Sequence, residues 1–219
     1  MPIPTTRCVS RAASALLLAA FAIPLQRPDG WETLVFGRVP ANQVTFSEVG
    51  LHIRVDRSAG PLVFPLPASR LVRRVQASGR VRGAVRLEPG QRQGQRGADD
   101  YVLRIGLVEA GSRTLGRFER LTAPAWVRRL FALAPPHTGI SQVSFYNVAN
   151  ATSSIGTMRQ HPLSDLLHEQ VVAAVDASGA FHIDHDFGTE RRVLAVWLSS
   201  DGDDTQSSFE VTLERLELE

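Results

Sequence analysis

Three carboxylates, Asp201, Asp203 and Asp204, fall within four residues beside Gly202 and Thr205. Like charges this close cost energy unless a cation sits among them. Oxygen-only ligands suit Ca²⁺, which takes roughly six to eight oxygens. The expected metal site is therefore Asp201, Asp203 and Asp204, with calcium as the cofactor. The competing reading is a polar turn, since Asp and Gly are turn formers in their own right. The loop is too short for an EF-hand and lacks the glutamate that pattern needs.

A second group is Asp99-Asp100-Tyr101-Val102-Leu103-Arg104. On a strand, Asp100, Val102 and Arg104 share one face, so Asp100 and Arg104 are expected to couple. The pair either closes a sheet end as a structural ion pair or lines a ligand groove. Asp99, Asp100, Tyr101 and Arg104 form the expected ligand-binding set. Arg80 and Arg82 join it, because Val75 to Leu87 alternates an apolar face with Arg80, Arg82 and Arg86. Residues 23–98 carry 12 arginines against 5 acids, and residues 99–219 carry 10 against 17. That polarity either guides an anionic glycan or a partner or marks a solvated sheet face.

His182, Asp184 and Asp186 share a strand face and have metal-ligand chemistry. Alternating polar residues are also what any half-exposed strand shows. His161-Pro162 and His168-Glu169 form no H-x-x-x-H or H-E-x-x-H pattern, and no G-x-S-x-G is present. Glycoside hydrolysis needs two carboxylates at a set separation. Asp99, Asp100, Asp184 and Asp186 are eligible, but their separation is not a property of sequence.

The elements that must hold these groups are short strands. Val193 to Leu198 is apolar on both faces, as in a strand covered on both sides. Phe209, Val211 and Leu213 then alternate with polar residues until the phase flips to Leu216 and Leu218. A β-bulge at Glu214-Arg215 restores inward pointing, and the two strands are expected to form a terminal hairpin. Further strands are expected at Trp31–Phe36, Gln43–Val49, Leu51–Val55, Val75–Leu87, Tyr101–Glu109, Gln142–Val148, His168–Val175 and Ala180–Phe187. Leu62 to Leu66 carries Pro65 and is at best an edge strand. Gly79 and Gly83 on an apolar face signal close approach by another element. Pro89 to Gly97 is a loop, and Asp176-Ala177-Ser178-Gly179 is a hairpin turn. Thr114 to Leu133 has helical spacing broken at Pro124, which fits two short helices covering a sheet face. The fold class expected is all-β, a jelly roll or β-sandwich.

Residues 1–22 read as a secretory signal peptide: Arg7 and Arg11, an apolar run from Ala12 to Ala22, and Ala20-Phe21-Ala22 as a cleavage site. The run is short for a membrane-spanning helix. Cleavage removes Cys8 and two of 24 arginines, leaving 22 charges of each sign. Residues 23–219 then form one neutral, disulfide-free domain in a periplasmic or secreted bacterial protein. Neutrality removes the case for a nucleic-acid partner, and the cleaved chain is not an integral membrane protein.

Asp99-Asp100-Tyr101 with Arg104, and Asp201, Asp203, Asp204 and Thr205, resemble the Asp-Asp-Tyr-x-x-Arg and Asp-x-Asp-Asn-Thr segments of an exported bacterial β-sandwich family of unknown function. Trp31 with Phe36, and Asp186-Phe187-Gly188, are similar too. Asp204 departs from the family's asparagine, and Phe181 stands where that family has a tryptophan-rich strand. The resemblance implies a fold and a compartment, and no activity.

The expected function is non-enzymatic binding of a carbohydrate-like or cell-envelope ligand, with Trp31, Tyr101, Trp126, Tyr146 and Trp197 as the aromatics to place. The alternatives are a polysaccharide-acting hydrolase or lyase, and an envelope protein–protein interaction module.

Overall fold

The structure is a computed structural model that describes residues 20–161 and 164–219. Arg7, Cys8 and Arg11 lie outside the described residues, as does most of the expected signal peptide. In chain order the strands are β1 (Phe21–Ala22), β2 (Glu32–Thr33), β3 (Gln43–Ser47), β4 (Gly50–Asp56), β5 (Ala59–Gly83) and β6 (Leu103–Gly111). Helices α1 (Arg117–Thr122) and α2 (Ala125–Phe131) follow. The chain continues with β7 (Gly139–Ala149), β8 (Met158–Gln160), β9 (Leu167–Ala174), β10 (Ala180–Asp201) and β11 (Ser208–Leu218).

The main path of the sheet runs β3-β4-β11-β5-β10-β6-β7-β9-β8. Its two long members explain how one ladder makes a sandwich. The second half of β5 pairs with β11 and with the first half of β10. The first half of β5 pairs with the second half of β10, which in turn pairs with β6. Both long strands thus pass from one layer into the other. The pairing jumps between Asp186 and Arg191, opposite Arg74 and Val72. β10 also touches β4 and β9, each three strands away in the order, so the sheet curls over on itself. The space between the layers is filled by Ile53, Leu103, Ile105, Ile183, Leu198 and Leu213, all essentially inaccessible. The all-β sandwich with two short helices is the architecture expected.

Several local expectations hold with physical detail. Leu213 pairs with Gly79 and Arg215 with Ser78, so Glu214 is the extra residue of a bulge. Phe209, Val211, Leu213, Leu216 and Leu218 are consequently all buried. Phe181 lies opposite Gly79, where a Cβ would stand 2.7 Å from its ring. The glycine is the close approach that the apolar face required.

Others are corrected. Val193–Leu198 and Phe209–Leu218 do not form a hairpin, because β5 lies between β10 and β11. Residues 202–207 therefore link the layers, closed by Ser207 N donating to Gly202 O. Ala180–Phe187 and Val193–Leu198 are one strand, and so are Leu62–Leu66 and Val75–Gly83. Leu62–Leu66 is an edge on one side only. Pro61 O accepts from Leu34 N, so the odd residues turn their backbone toward β2. There the ladder spans only Glu32 and Thr33, and Pro61, Pro65 and Pro67 forfeit little. The turn at Asp176–Gly179 is tight, with Asp176 Oδ1 accepting from Ser178 N and Ala180 N. Its flanking strands β9 and β10 nevertheless pair with other neighbours, and β9 runs parallel to β7.

Pro124 breaks the helical segment as expected, and α2 buries Leu130 against the sheet. α1 buries nothing. At the start of the chain, Phe21 and Ala22 pair with Leu218 and Glu217, and Ile23 and Leu25 are core residues.

Candidate functional site

Alternation decides what the outer face of the second layer presents. In β10, Trp197, Ser199 and Asp201 point one way, and in β6 Arg104, Gly106 and Val108 do so. In β7 the same face carries Phe145 and Asn147, and in β9 Leu167, Glu169 and Val171. Register brings Ser199 opposite Arg104, Trp197 opposite Gly106, and Gly106 opposite Phe145. Glu169 lies beside Phe145. A Cβ on Gly106 would stand 2.7 Å from Phe145 Cε1 and 3.1 Å from Trp197 Cβ. Glycine there lets the two rings close over the strand.

The apolar half of this face is an aromatic wall. Trp197 packs edge-on against Phe145 at 5.8 Å and against Trp126 at 5.9 Å. Phe36 completes the group, 5.6 Å from Trp126 and 6.2 Å from Trp197. α2 supplies Trp126 and the segment after β2 supplies Phe36; these two are half-buried, whereas Trp197 and Phe145 are buried.

The polar half is a charge network centred on Arg104. Its Nε donates to Asp201 Oδ2 at 2.6 Å, and its Nη2 donates to Asp99 Oδ1 at 3.0 Å and to the Asp99 carbonyl at 2.6 Å. Nη1 bonds Glu169, and the guanidinium lies 4.6 Å from the Tyr101 ring centroid. Arg159 bonds Glu169 and Asp99 from the other side, and His161 Nε2 is 3.1 Å from Asp99 Oδ2.

The two halves meet in a cleft of about 510 Å³. Phe36, Trp126, Phe145 and Trp197 line one side; Asp99, Asp201, Asp203, Asp204, Glu169 and Arg104 line the other.

Carboxylates outnumber guanidiniums here, and proton affinities diverge accordingly. Burial pushes Asp201 up to about 6, reinforced by Asp100 and Asp203 and only partly offset by Arg104. Asp203 is raised as well, by burial and by Asp100. Asp99 is held well below the usual carboxylate range: burial opposes its charge, but the bond from His161 and the charges of Arg104 and Arg159 outweigh it. Arg104 and Arg159 are raised because their acidic partners overcome their own desolvation. Tyr101 is raised by burial.

Of the expected ligand-binding residues, Asp99 rather than Asp100 meets Arg104, and Asp201, Asp203 and Asp204 converge on the same cleft. Asp100 does not couple to Arg104. Its Oδ2 accepts from Thr205 N at 2.7 Å and from Thr205 Oγ1, so it staples the inter-layer link. The reason is local: β6 begins at Leu103, and residues 99–101 do not follow strand alternation. Tyr101 is buried beneath Arg104. Arg80 and Arg82 lie elsewhere, paired with Glu214 and Glu210 on the exposed side of β5 and β11. Asp184 and Asp186 are likewise paired, with Arg74 and Arg73. Trp31 donates its Nε1 to Pro24 O and packs on Phe64, away from the cleft. Tyr146 stacks on Phe187.

The Asp-rich loop takes protein partners. Asp201 is bonded to Arg104, and Asp204 Oδ2 accepts from Asp99 N at 3.2 Å. Among the described residues, the side chains whose ligand atoms converge closely enough for a metal are instead Asp99, His161 and Glu169. Arg104 and Arg159 already neutralise both of those carboxylates, which leaves a metal cation little to gain.

Glu169, Arg159, His161, Phe36 and Phe145 were not expected at the site. Glu169 had a legible signal: it occupies the inward phase of β9 between Leu167 and Val171. A charge on that phase needs a buried partner.

No protein-family model matches the chain, and no curated protein matches it. Among solved structures it is similar to a xylan-binding module, CBM15, at 12% identity and a TM-score of 0.37, over 92% of this chain and 95% of that one.

Proposed function

We propose that the cleft binds a carbohydrate chain without cleaving it, in an exported protein of the cell envelope or its surroundings. The observation that carries this reading is the junction of an aromatic wall, Phe36–Trp126–Trp197–Phe145, with a rigid polar network in one open cleft. Sugar rings present an apolar face suited to stacking on aromatic rings and an equatorial belt of hydroxyls suited to carboxylates. Asp203 is the carboxylate best placed for those hydroxyls, because no side chain donates to it among the described residues and it lines the cleft half-buried. The carboxylate surplus disfavours polyanions, nucleic acid included.

Hydrolysis is the second reading, favoured by one observation. Asp99 and Asp201 share a cleft while their environments drive their proton affinities apart, the pattern of an acid and a base. Asp99, however, is held through both oxygens by Arg104, Arg159 and His161, so it is not free to attack, and Arg104 holds Asp201 Oδ2. Binding is therefore preferred. The resemblance carried by Asp99–Arg104 and Asp201–Thr205 is compatible with either reading, and calcium at Asp201, Asp203 and Asp204 would have to displace Arg104 from Asp201.

Calorimetric titration against neutral oligosaccharides, with reducing-end assay of the same mixtures, tests the proposal. Heat of binding lost in Trp126→Ala, with no new reducing ends, supports it. New reducing ends abolished by Asp201→Asn would replace it with hydrolysis.

A further inference from the structure

The segment from Arg113 to Phe131 sits outside this logic. It carries five arginines and one glutamate in a chain whose charges otherwise nearly balance. α1 buries no residue, yet it presents Phe118 at 76% and Leu121 at 81% exposure. Three residues apart on one helix, they share a face. They are the two most exposed large apolar side chains among the described residues, and on a monomer they carry a standing solvation cost.

Of the five arginines, Arg113 and Arg129 pair with Asp165 and Glu32; the other three are unmatched. Elsewhere on the surface Arg73, Arg74, Arg80 and Arg82 each meet a carboxylate. Among the described residues, Arg117, Arg120 and Arg128 meet none. Arg120 and Arg128 donate instead to the Leu115 and Ala123 carbonyls. The single acid, Glu119, is turned away to cap its own helix, its Oε2 accepting from Gly116 N at 2.7 Å. Beside α1 and α2 a groove of about 390 Å³ is lined by Arg120, Arg128 and His137, with Leu115 and Phe131 at its apolar side.

We infer that this α1–α2 corner docks on the surface of a bilayer containing anionic phospholipid. Phe118 and Leu121 enter the acyl boundary, and Arg117, Arg120 and Arg128 face the phosphates. Paired apolar and cationic groups on a short helix are what interfacial attachment requires. The charge of Arg117, Arg120 and Arg128 is complementary to such a surface, and among the described residues these three pair with no acidic group. No helix among the described residues is long and apolar enough to cross a membrane, so the contact is peripheral. The aromatic cleft is a separate feature, and the inference does not depend on its ligand.

The test is co-sedimentation of the purified protein with vesicles of phosphatidylglycerol and phosphatidylcholine in equal parts, against phosphatidylcholine alone, at 0.1 M salt. Binding should be confined to the anionic vesicles and fall roughly tenfold or more at about 0.5 M salt, where screening is strong. Phe118→Ser/Leu121→Ser and Arg117→Glu/Arg120→Glu should each abolish it. Because all four side chains are exposed, both variants should keep the wild-type melting temperature. Failure of the wild type to bind anionic vesicles overturns the inference. So does equal binding to neutral vesicles, or a concentration-dependent dimer that the Phe118→Ser/Leu121→Ser variant disperses while vesicle binding is absent.

Discussion

Arg104 Nε donates to Asp201 Oδ2 at 2.6 Å, joining the start of β6 to the end of β10 in a site where both side chains are almost wholly buried. Asp201 takes this bond, Asp99 and Glu169 take the remaining arms of the same guanidinium, and Arg159 braces the last two. The network is thus a fixed floor rather than a set of free reagents.

Removing its hub should be costly. Arg104→Met leaves three carboxylates facing one another, and stripping one partner from a buried ion pair costs about 3–5 kcal/mol. The melting temperature should fall on the order of 10 °C. Adding Glu169→Gln to Arg104→Met should recover part of the loss, measured by urea unfolding of the single and double variants.

The same surplus of negative charge predicts an unusual pH dependence. Asp201 has a folded pKa of about 6, above its unfolded value of 3.8. Its contribution to stability is therefore fully present below about pH 4 and is lost as pH rises through about 6. The span is on the order of 3 kcal/mol. Asp99 acts oppositely, stabilising above the unfolded value and losing that contribution in acid. Unfolding midpoints between pH 4 and 7 should decline less in Asp201→Asn than in the wild type; an identical decline in both would contradict the assignment.

Trp126 and Trp31 offer a contrast in role. Trp126→Ala removes ring surface that faces the cleft and should weaken oligosaccharide binding at least tenfold, about 1.4 kcal/mol. Trp31→Ala strips a ring packed on Phe46 and Phe64. It should lower stability by about 3–5 kcal/mol, while the folded fraction binds ligand normally. Gly106→Ala should do both kinds of damage modestly, since the new methyl group displaces Phe145 and Trp197 together.

For calcium, Arg104 is the competitor. With Asp201 bound to Arg104 and Asp204 accepting from Asp99 N, millimolar Ca²⁺ should move the melting temperature by less than about 1 °C relative to EDTA. A site filled at 100 times its Kd would add about 2.7 kcal/mol and shift it by several degrees, which would make the loop a metal site.

On the outer face, Arg80→Ala and Arg82→Ala remove exposed cross-strand pairs with Glu214 and Glu210. Each should cost under about 1 kcal/mol and leave ligand titration unchanged.

The all-β class, the bulge at Glu214 and the helix break at Pro124 were legible in the sequence because each follows from local phase or local sterics. Strand continuity was not. Residues 186–192 are mostly polar and exposed, and residues 66–71 are mostly exposed and include Pro67, which mimics a loop in both. In fact they are where β5 and β10 cross between layers. The site was half legible. Arg104 stands out among Leu103, Ile105 and Leu107, but its partners Asp201, Glu169 and Arg159 come from three distant segments that only topology assembles. Asp100 shows the converse: a strand-face argument fails where the chain has not yet become a strand.

The crossing of β10 between layers also bears on dynamics. Ile183 lies in the core of one layer, and Trp197 lies in the cleft wall of the other, on one uninterrupted strand. Amides of both stretches should exchange with solvent through a single cooperative opening rather than as two independent units. A sugar chain resting on Trp126, which packs against the buried Trp197, would then slow deuterium uptake at Ile183, in a layer it never touches.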